Sequence, residues 1–264
     1  MVNFMKINKI REIARANIKD LFITTIDSII EKAFEFKDEY PDEYLISTHF
    51  AFREMLNETK GTGRGIEGFS ELWYFLYIKK FLERFLKIEF ETIKTVKPKA
   101  NHHHYEANYK GNKLILSSDI SIESNFNIKI SNKSKIKPDI FIGIKKSNME
   151  IIPIAIFEIK LRQESAHKIE EVVNRFIEMK DVLNTDNTDL PFFIFLYLQH
   201  SQYEFKFDKE KQDRFNIQLE RFKNLFGKDM LMINRISKWD GEGYENEIEG
   251  SIYQIMDKIV SSIN

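Results

Sequence analysis

The chain contains no cysteine. Disulfide bridges, thiolate nucleophiles and cysteine-ligated zinc are therefore excluded. Net charge is almost absent as well: 40 Lys and Arg residues stand against 41 Asp and Glu, a formal charge of −1. A uniformly basic nucleic-acid binder would carry a positive excess, so any grip on an anionic partner has to come from local clustering. No apolar run reaches the roughly 18 residues of a membrane span. The opening MVNFMKINKIREIARANIKD is charged throughout and has no secretory-signal pattern. The expectation is a cytoplasmic protein with no membrane partner. Repeats and low-complexity linkers are missing too.

What is present suits an ordinary globular protein. Of 264 residues, 42% are hydrophobic and 31% charged, and 23 phenylalanines supply material for a core. This fits one large domain, or a catalytic domain with a sizeable appendage. From Met1 to about Leu86 the apolar spacing is helical, as in Ile7, Ile10, Ile13 and Ile18, or Leu21, Phe22, Ile26, Ile29 and Ile30. A further helix is expected near Thr48–Leu56. GTGRGIEGFS reads as a glycine-rich loop, followed by ELWYFLYIKKFLERFLKIEF, a helix apolar on most faces and so central to the fold.

After about residue 99 the period changes. YEANYKGNKLILSSDISIES reads as a hairpin turning at Lys110-Gly111-Asn112. Ile136–Lys145 and Ile151–Leu161 read as strands, and Ser165 caps a helix to about Leu183. PFFIFLYLQH is a buried strand, Gln212–Phe226 a helix, MLMIN a short strand, and Ile248–Ile263 a closing helix. This order predicts an α/β (mixed α+β) fold. Residues 99–264 would form a mixed central sheet flanked by helices, with one parallel crossover from the Glu158 strand to PFFIFLYLQH. Residues 1–98 would form a helical region for substrate grip or dimer contacts.

The stretch KPDIFIGIKKSNMEIIPIAIFEIKLRQ carries charges where sheet interior is expected: Asp139, Glu158 and Lys160. Charged side chains are rarely buried unless paired or metal-bound. Glu158 and Lys160 lie two apart on a strand and so share a face, with Ile154 and Ile156 at the same parity. A hairpin turn at Ser147-Asn148 would bring Asp139 beside them. Neighbouring carboxylates repel unless a cation separates them. A few hard oxygen ligands with room for water suit Mg²⁺, with Mn²⁺ as a substitute. The lysine would orient or deprotonate a water, or stabilise phosphate charge. The plain alternative is a solvated strand end with an incidental ion pair.

Pro138-Asp139 followed by Glu158-Ile159-Lys160 at the end of a hydrophobic strand resembles the PD-(D/E)XK nuclease superfamily, which includes many restriction endonucleases. The likeness spans the motif and its strand-strand-helix-strand context, about residues 108–200. It implies a restriction-endonuclease-like core. It also implies Mg²⁺ bound by Asp139, Glu158 and the backbone carbonyl of Ile159, with Lys160 acting on the nucleophilic water. Many members add an acidic residue from a preceding helix: Glu71 is the candidate and Glu67 its rival, although either carboxylate would also simply suit a helix N-terminus. Lys135, Lys137, Gln163 and Arg64 are candidates for nucleic-acid contact. His102-His103-His104 alternates faces in a strand and so makes a poor metal cluster.

The resemblance implies a Mg²⁺-dependent DNA endonuclease of the restriction or defence type, acting on double-stranded DNA, with a homodimer where both strands are cut. A structure-specific, repair or RNA nuclease of the same fold is the first alternative. A non-catalytic nucleic-acid-binding module is the second.

Overall fold

The computed structural model describes residues 26–35, 45, 49, 63–93, 103–118, 138–148, 150–161, 166–183, 191–201, 209–238 and 244–264. The chain divides into two compact units, Met1–Phe85 and Leu86–Asn264. The expected helix at Thr48–Leu56 and the apolar repeats before Ile26 lie almost wholly outside the described residues.

In the first unit, α1 (Ile26–Glu35) and α2 (Gly63–Leu86) form an aromatic core. Phe34 stacks on Tyr77 at 5.4 Å between ring centroids and meets Phe81 at 5.9 Å. Trp73, Tyr74, Phe75, Ile78 and Leu82 are buried along α2, as its near-continuous apolar sequence requires. Lys80 and Arg84 of α2 pair with Glu31 of α1 at 3.6 and 3.5 Å. One expectation is corrected here. GTGRGIEGFS is helical from Gly63 onward rather than a loop. Each glycine costs a helix about 1 kcal/mol relative to alanine, but the apolar helix that follows propagates back across them.

The second unit is built on an eight-stranded mixed sheet with strands in sequence order. The strands are β1 (Glu91–Thr92), β2 (His104–Tyr109), β3 (Asn112–Ser117), β4 (Ile140–Lys145), β5 (Ile151–Leu161), β6 (Phe192–Ser201), β7 (Leu231–Lys238) and β8 (Tyr244–Glu249). The β2–β3 hairpin turns at Lys110 and Gly111, whose φ of 49° and 77° are the left-handed pair a two-residue primed turn needs. Helix α3 (Ala166–Leu183) links the parallel pair β5–β6, and α4 (Lys209–Phe226) the parallel pair β6–β7. The second parallel pair extends the single crossover that the sequence predicts. Strand β8 was not expected: its polar sequence YENEIE suits an exposed edge, where charge discourages further pairing. It displaces the start of the closing helix, α5, to Ile252–Ile263, after Gly250 and an N-cap at Ser251 that accepts from the Gln254 N–H.

Both faces of the central strands are covered. Phe157, Glu158 and Ile159 are all buried, as are the residues from Phe193 to Leu198. On the Glu158 face, Phe176 of α3 meets Phe193, while Phe222 and Phe215 of α4 meet Phe195 and Tyr197. On the opposite face, Tyr109 donates to Asn264 at the end of α5. Among the described residues, no helix is long and apolar enough to cross a membrane.

The β4–β5 hairpin carries an irregularity that the sequence reading did not include. Ile142 pairs with Ala155 but Gly143 with Pro153, so Ile154 is the bulged residue and not a regular member of the Glu158 face. Proline lacks a ladder donor and is tolerated at bulges. Gly143 is required opposite it, because a Cβ there would lie 2.6 Å from the Phe141 ring and 2.9 Å from the Ile152 carbonyl oxygen.

Candidate active site

Strands β4 and β5 run antiparallel, with Ile140 opposite Phe157. The turn closes through Lys146 N–H donating to Glu150 O at 2.8 Å. The start of β4 therefore lies beside the end of β5, as the hairpin expectation required. Asp139 immediately precedes β4, and its N–H donates to the Phe157 carbonyl at 3.1 Å. Pro138, before it, has no N–H and cannot extend the ladder. Asp139 Oδ2 instead accepts from the Ile159 N–H at 2.6 Å. A side chain thus takes over where the backbone pairing stops, fixing the carboxylate at the sheet end. Because N–H and C=O of one strand residue point to the same edge, the Ile159 carbonyl opens on the Asp139 side.

Glu158 and Lys160 project from the same face of β5, as period two demands. Glu158 is fully buried, with 0% side-chain exposure. Lys160 Nζ donates to Glu158 Oε2 at 2.9 Å and lies 3.7 Å from Asp139 Oδ2. One ammonium therefore joins both carboxylates. The other oxygen of Glu158, Oε1, accepts from Arg175 Nη1 at 2.6 Å. A buried carboxylate would be prohibitively costly alone; here each oxygen faces a cation.

Burial is the largest single influence on Lys160 and lowers its pKa. The charges of Glu158 and Asp139, with the hydrogen bond to Glu158, outweigh it and carry the pKa above the ordinary lysine value. In this arrangement Lys160 is an ammonium at neutral pH. It donates its hydrogen bond to Glu158. Arg175 is raised in the same way: burial lowers its pKa, and Glu158, chiefly, more than restores it.

Arg175 was missed by the sequence reading. It sits on α3 at helical spacing from Val172 and Met179, at the border of that helix's apolar stripe. An arginine at such a border is the available signal, although solvated helix faces show the same pattern.

The structure thus brings together Asp139, Glu158, Ile159 and Lys160, and adds Arg175. Glu71 lies half-buried on α2, in the first unit. Arg64 and Glu67 belong to the same helix, so Arg64 does not lie in the loop expected for it. Lys135, Lys137 and Gln163 lie outside the described residues. His104 faces Glu106 at 3.6 Å along β2, and the His103 N–H donates to Ser118 Oγ at 3.0 Å. Among the described residues, no three or more His, Asp or Glu side chains gather as a ligand cluster for a metal. The side-chain oxygens that this site could offer a metal are those of two carboxylates, Asp139 and Glu158, which here face Lys160 and Arg175. No protein-family model, curated protein or solved structure matches the chain.

Proposed function

We propose that this chain is a Mg²⁺-dependent DNA endonuclease with a restriction-endonuclease-like core, acting in restriction or defence. One observation carries the reading. At the adjoining ends of two apolar strands, a single ammonium lies 2.9 Å from Glu158 and 3.7 Å from Asp139. Two carboxylates converging on one cation position form the donor pair a divalent ion requires, and the Ile159 carbonyl opens on the same edge. The pattern Pro138-Asp139 and Glu158-Ile159-Lys160 supports the same reading.

Asp139 and Glu158 would hold the ion. When bound, Mg²⁺ lowers the pKa of a water and acts as a Lewis acid on a phosphoryl oxygen. Charge bookkeeping favours an anionic substrate. Asp139, Glu158, Lys160 and Arg175 sum to zero, so a divalent cation leaves an excess of positive charge that a phosphodiester offsets. Lys160, protonated, orients the attacking water and donates to the charge that develops on the phosphoryl oxygens. Full burial of Glu158 strengthens the interactions it makes. Cutting both strands of a duplex calls for two such sites, and so for a homodimer.

Incubating plasmid DNA with the protein in Mg²⁺ and in EDTA, beside Asp139→Ala and Lys160→Ala, tests this. Cutting should require the metal, and each variant should lose at least roughly a hundredfold in rate, the scale of removing a positioned catalytic group. Undiminished cutting by both variants would remove the site. Failure to cut duplex, branched and single-stranded substrates in Mg²⁺ or Mn²⁺ would overturn the enzyme reading.

A further inference from the structure

The two cations of the cluster are not equivalent. Lys160 is committed to both carboxylates. Arg175 makes one hydrogen bond among the described residues, from Nη1 to Glu158 Oε1. A guanidinium carries five N–H donors in a rigid plane. With Nη1 anchored on Glu158, the remaining donors are held close to the cluster. Arg175 is also the open member of the cluster, with its side chain 36% exposed against 0% for Glu158. Asp139 and Glu171 both add favourable charge around it.

We infer that Arg175 is the phosphate-binding residue of this site, using the donors that Glu158 does not take to hold a non-bridging oxygen of the DNA backbone while Glu158 tethers it. The inference rests on the nuclease reading for its substrate, and it goes further by naming a contact residue outside the Asp–Glu–Lys set. Arginine is suited to the task because its fork meets phosphate oxygens in pairs, and because it stays charged whatever the local field. The rival role is a prop: Arg175 would merely keep Glu158 in place and never touch substrate.

Salt dependence separates the two. Each phosphate contact releases counterions, so losing one flattens the slope of log K against log salt by about one. A prop contributes nothing to that slope. The measurement is fluorescence anisotropy of a labelled DNA duplex with the full chain in EDTA, across a series of KCl concentrations. Arg175→Met removes both charge and donors. Arg175→Gln keeps a donor for Glu158 and removes the charge. Arg175→Lys keeps the charge and loses the fork.

Both Arg175→Met and Arg175→Gln should bind roughly tenfold more weakly at low salt, with a slope shallower by about one, and Arg175→Lys should retain most of the slope. If Arg175→Met does not fold, Arg175→Gln alone decides. A wild-type slope in Arg175→Gln would overturn the inference, and so would the absence of salt-dependent binding in the wild type. Parallel cutting assays in Mg²⁺ keep the two readings apart. A wild type that cuts, with the slope unchanged in the variants, sinks the Arg175 contact alone. A wild type that shows the Arg175-dependent slope but cuts nothing sinks the nuclease reading and leaves the contact standing.

Discussion

Two lysines in the second unit make nearly the same arrangement in opposite surroundings. Lys160 bridges Glu158 at 2.9 Å and Asp139 at 3.7 Å. Lys223 of α4 bridges Glu249, at the end of β8, at 2.7 Å and Glu220, one turn earlier on α4, at 3.0 Å. Each lysine joins one carboxylate near in sequence to one brought by another element, and each has its pKa raised. The carboxylates differ. Glu220 and Glu249 are 63% and 45% exposed, whereas Glu158 is not exposed at all. Geometry alone therefore does not mark a site. The solvated cluster is the kind that decorates any surface and is worth at most about 1 kcal/mol. The buried one lies where isoleucine would serve folding as well or better, since buried ion pairs often add no net stability over apolar replacements. The buried cluster is the one that the proposed nuclease reading uses.

The largest expected effect follows from removing the cations. Lys160→Met with Arg175→Met leaves Glu158 buried and uncompensated, and should cost about 3–5 kcal/mol in denaturant unfolding. Lys223→Met should cost less than about 1 kcal/mol. Adding Glu158→Leu to the double variant removes the stranded charge, and should restore stability to near wild type. Equal losses from removing the cations of the two clusters would erase the distinction drawn between them.

Much of this contrast was legible in the residues. Alternation along β5 puts Glu158 and Lys160 on one face, and the turn at Ser147-Asn148 brings Asp139 alongside. Arg175 was hidden because its partner lies on another element, and nothing in a helical stripe says which polar border residue turns toward the sheet. The bulge at Ile154 follows from what Gly143 and Pro153 do to each other across two strands, a relation invisible along one. Strand β8 is polar at nearly every position, and its pairing with β7 supplies a stability its own pattern does not advertise. The helix across Gly63, Gly65 and Gly68 reflects propagation back from the apolar helix that follows, overriding the weak propensity of glycine.

Salt sharpens the comparison at a smaller scale. At about 1 M ionic strength the screening length falls to roughly 3 Å, which weakens exposed pairs but reaches buried ones poorly. The penalty for Lys223→Met, a few tenths of a kcal/mol at low salt, should shrink toward zero at high salt. The penalty for Lys160→Met should hardly change. Matched unfolding curves at the two salt concentrations check this, and a Lys160 penalty that collapses in salt would mean the cluster is wet.

The smallest effect is the dependence on alkaline pH. Lys223 is raised mainly by its hydrogen bond to Glu249, against a lowering by burial and with Glu220 adding to the rise. A lysine whose folded pKa exceeds its unfolded one stabilises most where both states are protonated. That contribution is lost as pH climbs through the folded value. The Lys223→Met penalty should therefore be flat from about pH 7 to about pH 10 and fade above it. Lys160 has the same sign but a different consequence. Once its ammonium deprotonates, Glu158 retains Arg175 alone among the described residues, so the wild type should lose more stability above about pH 10 than Lys160→Met does. Urea unfolding of wild type and both variants at three alkaline pH values measures the two slopes. A Lys223→Met penalty that grew with pH would contradict the sign assigned here, and equal slopes for the two lysines would show that burial of Glu158 adds nothing.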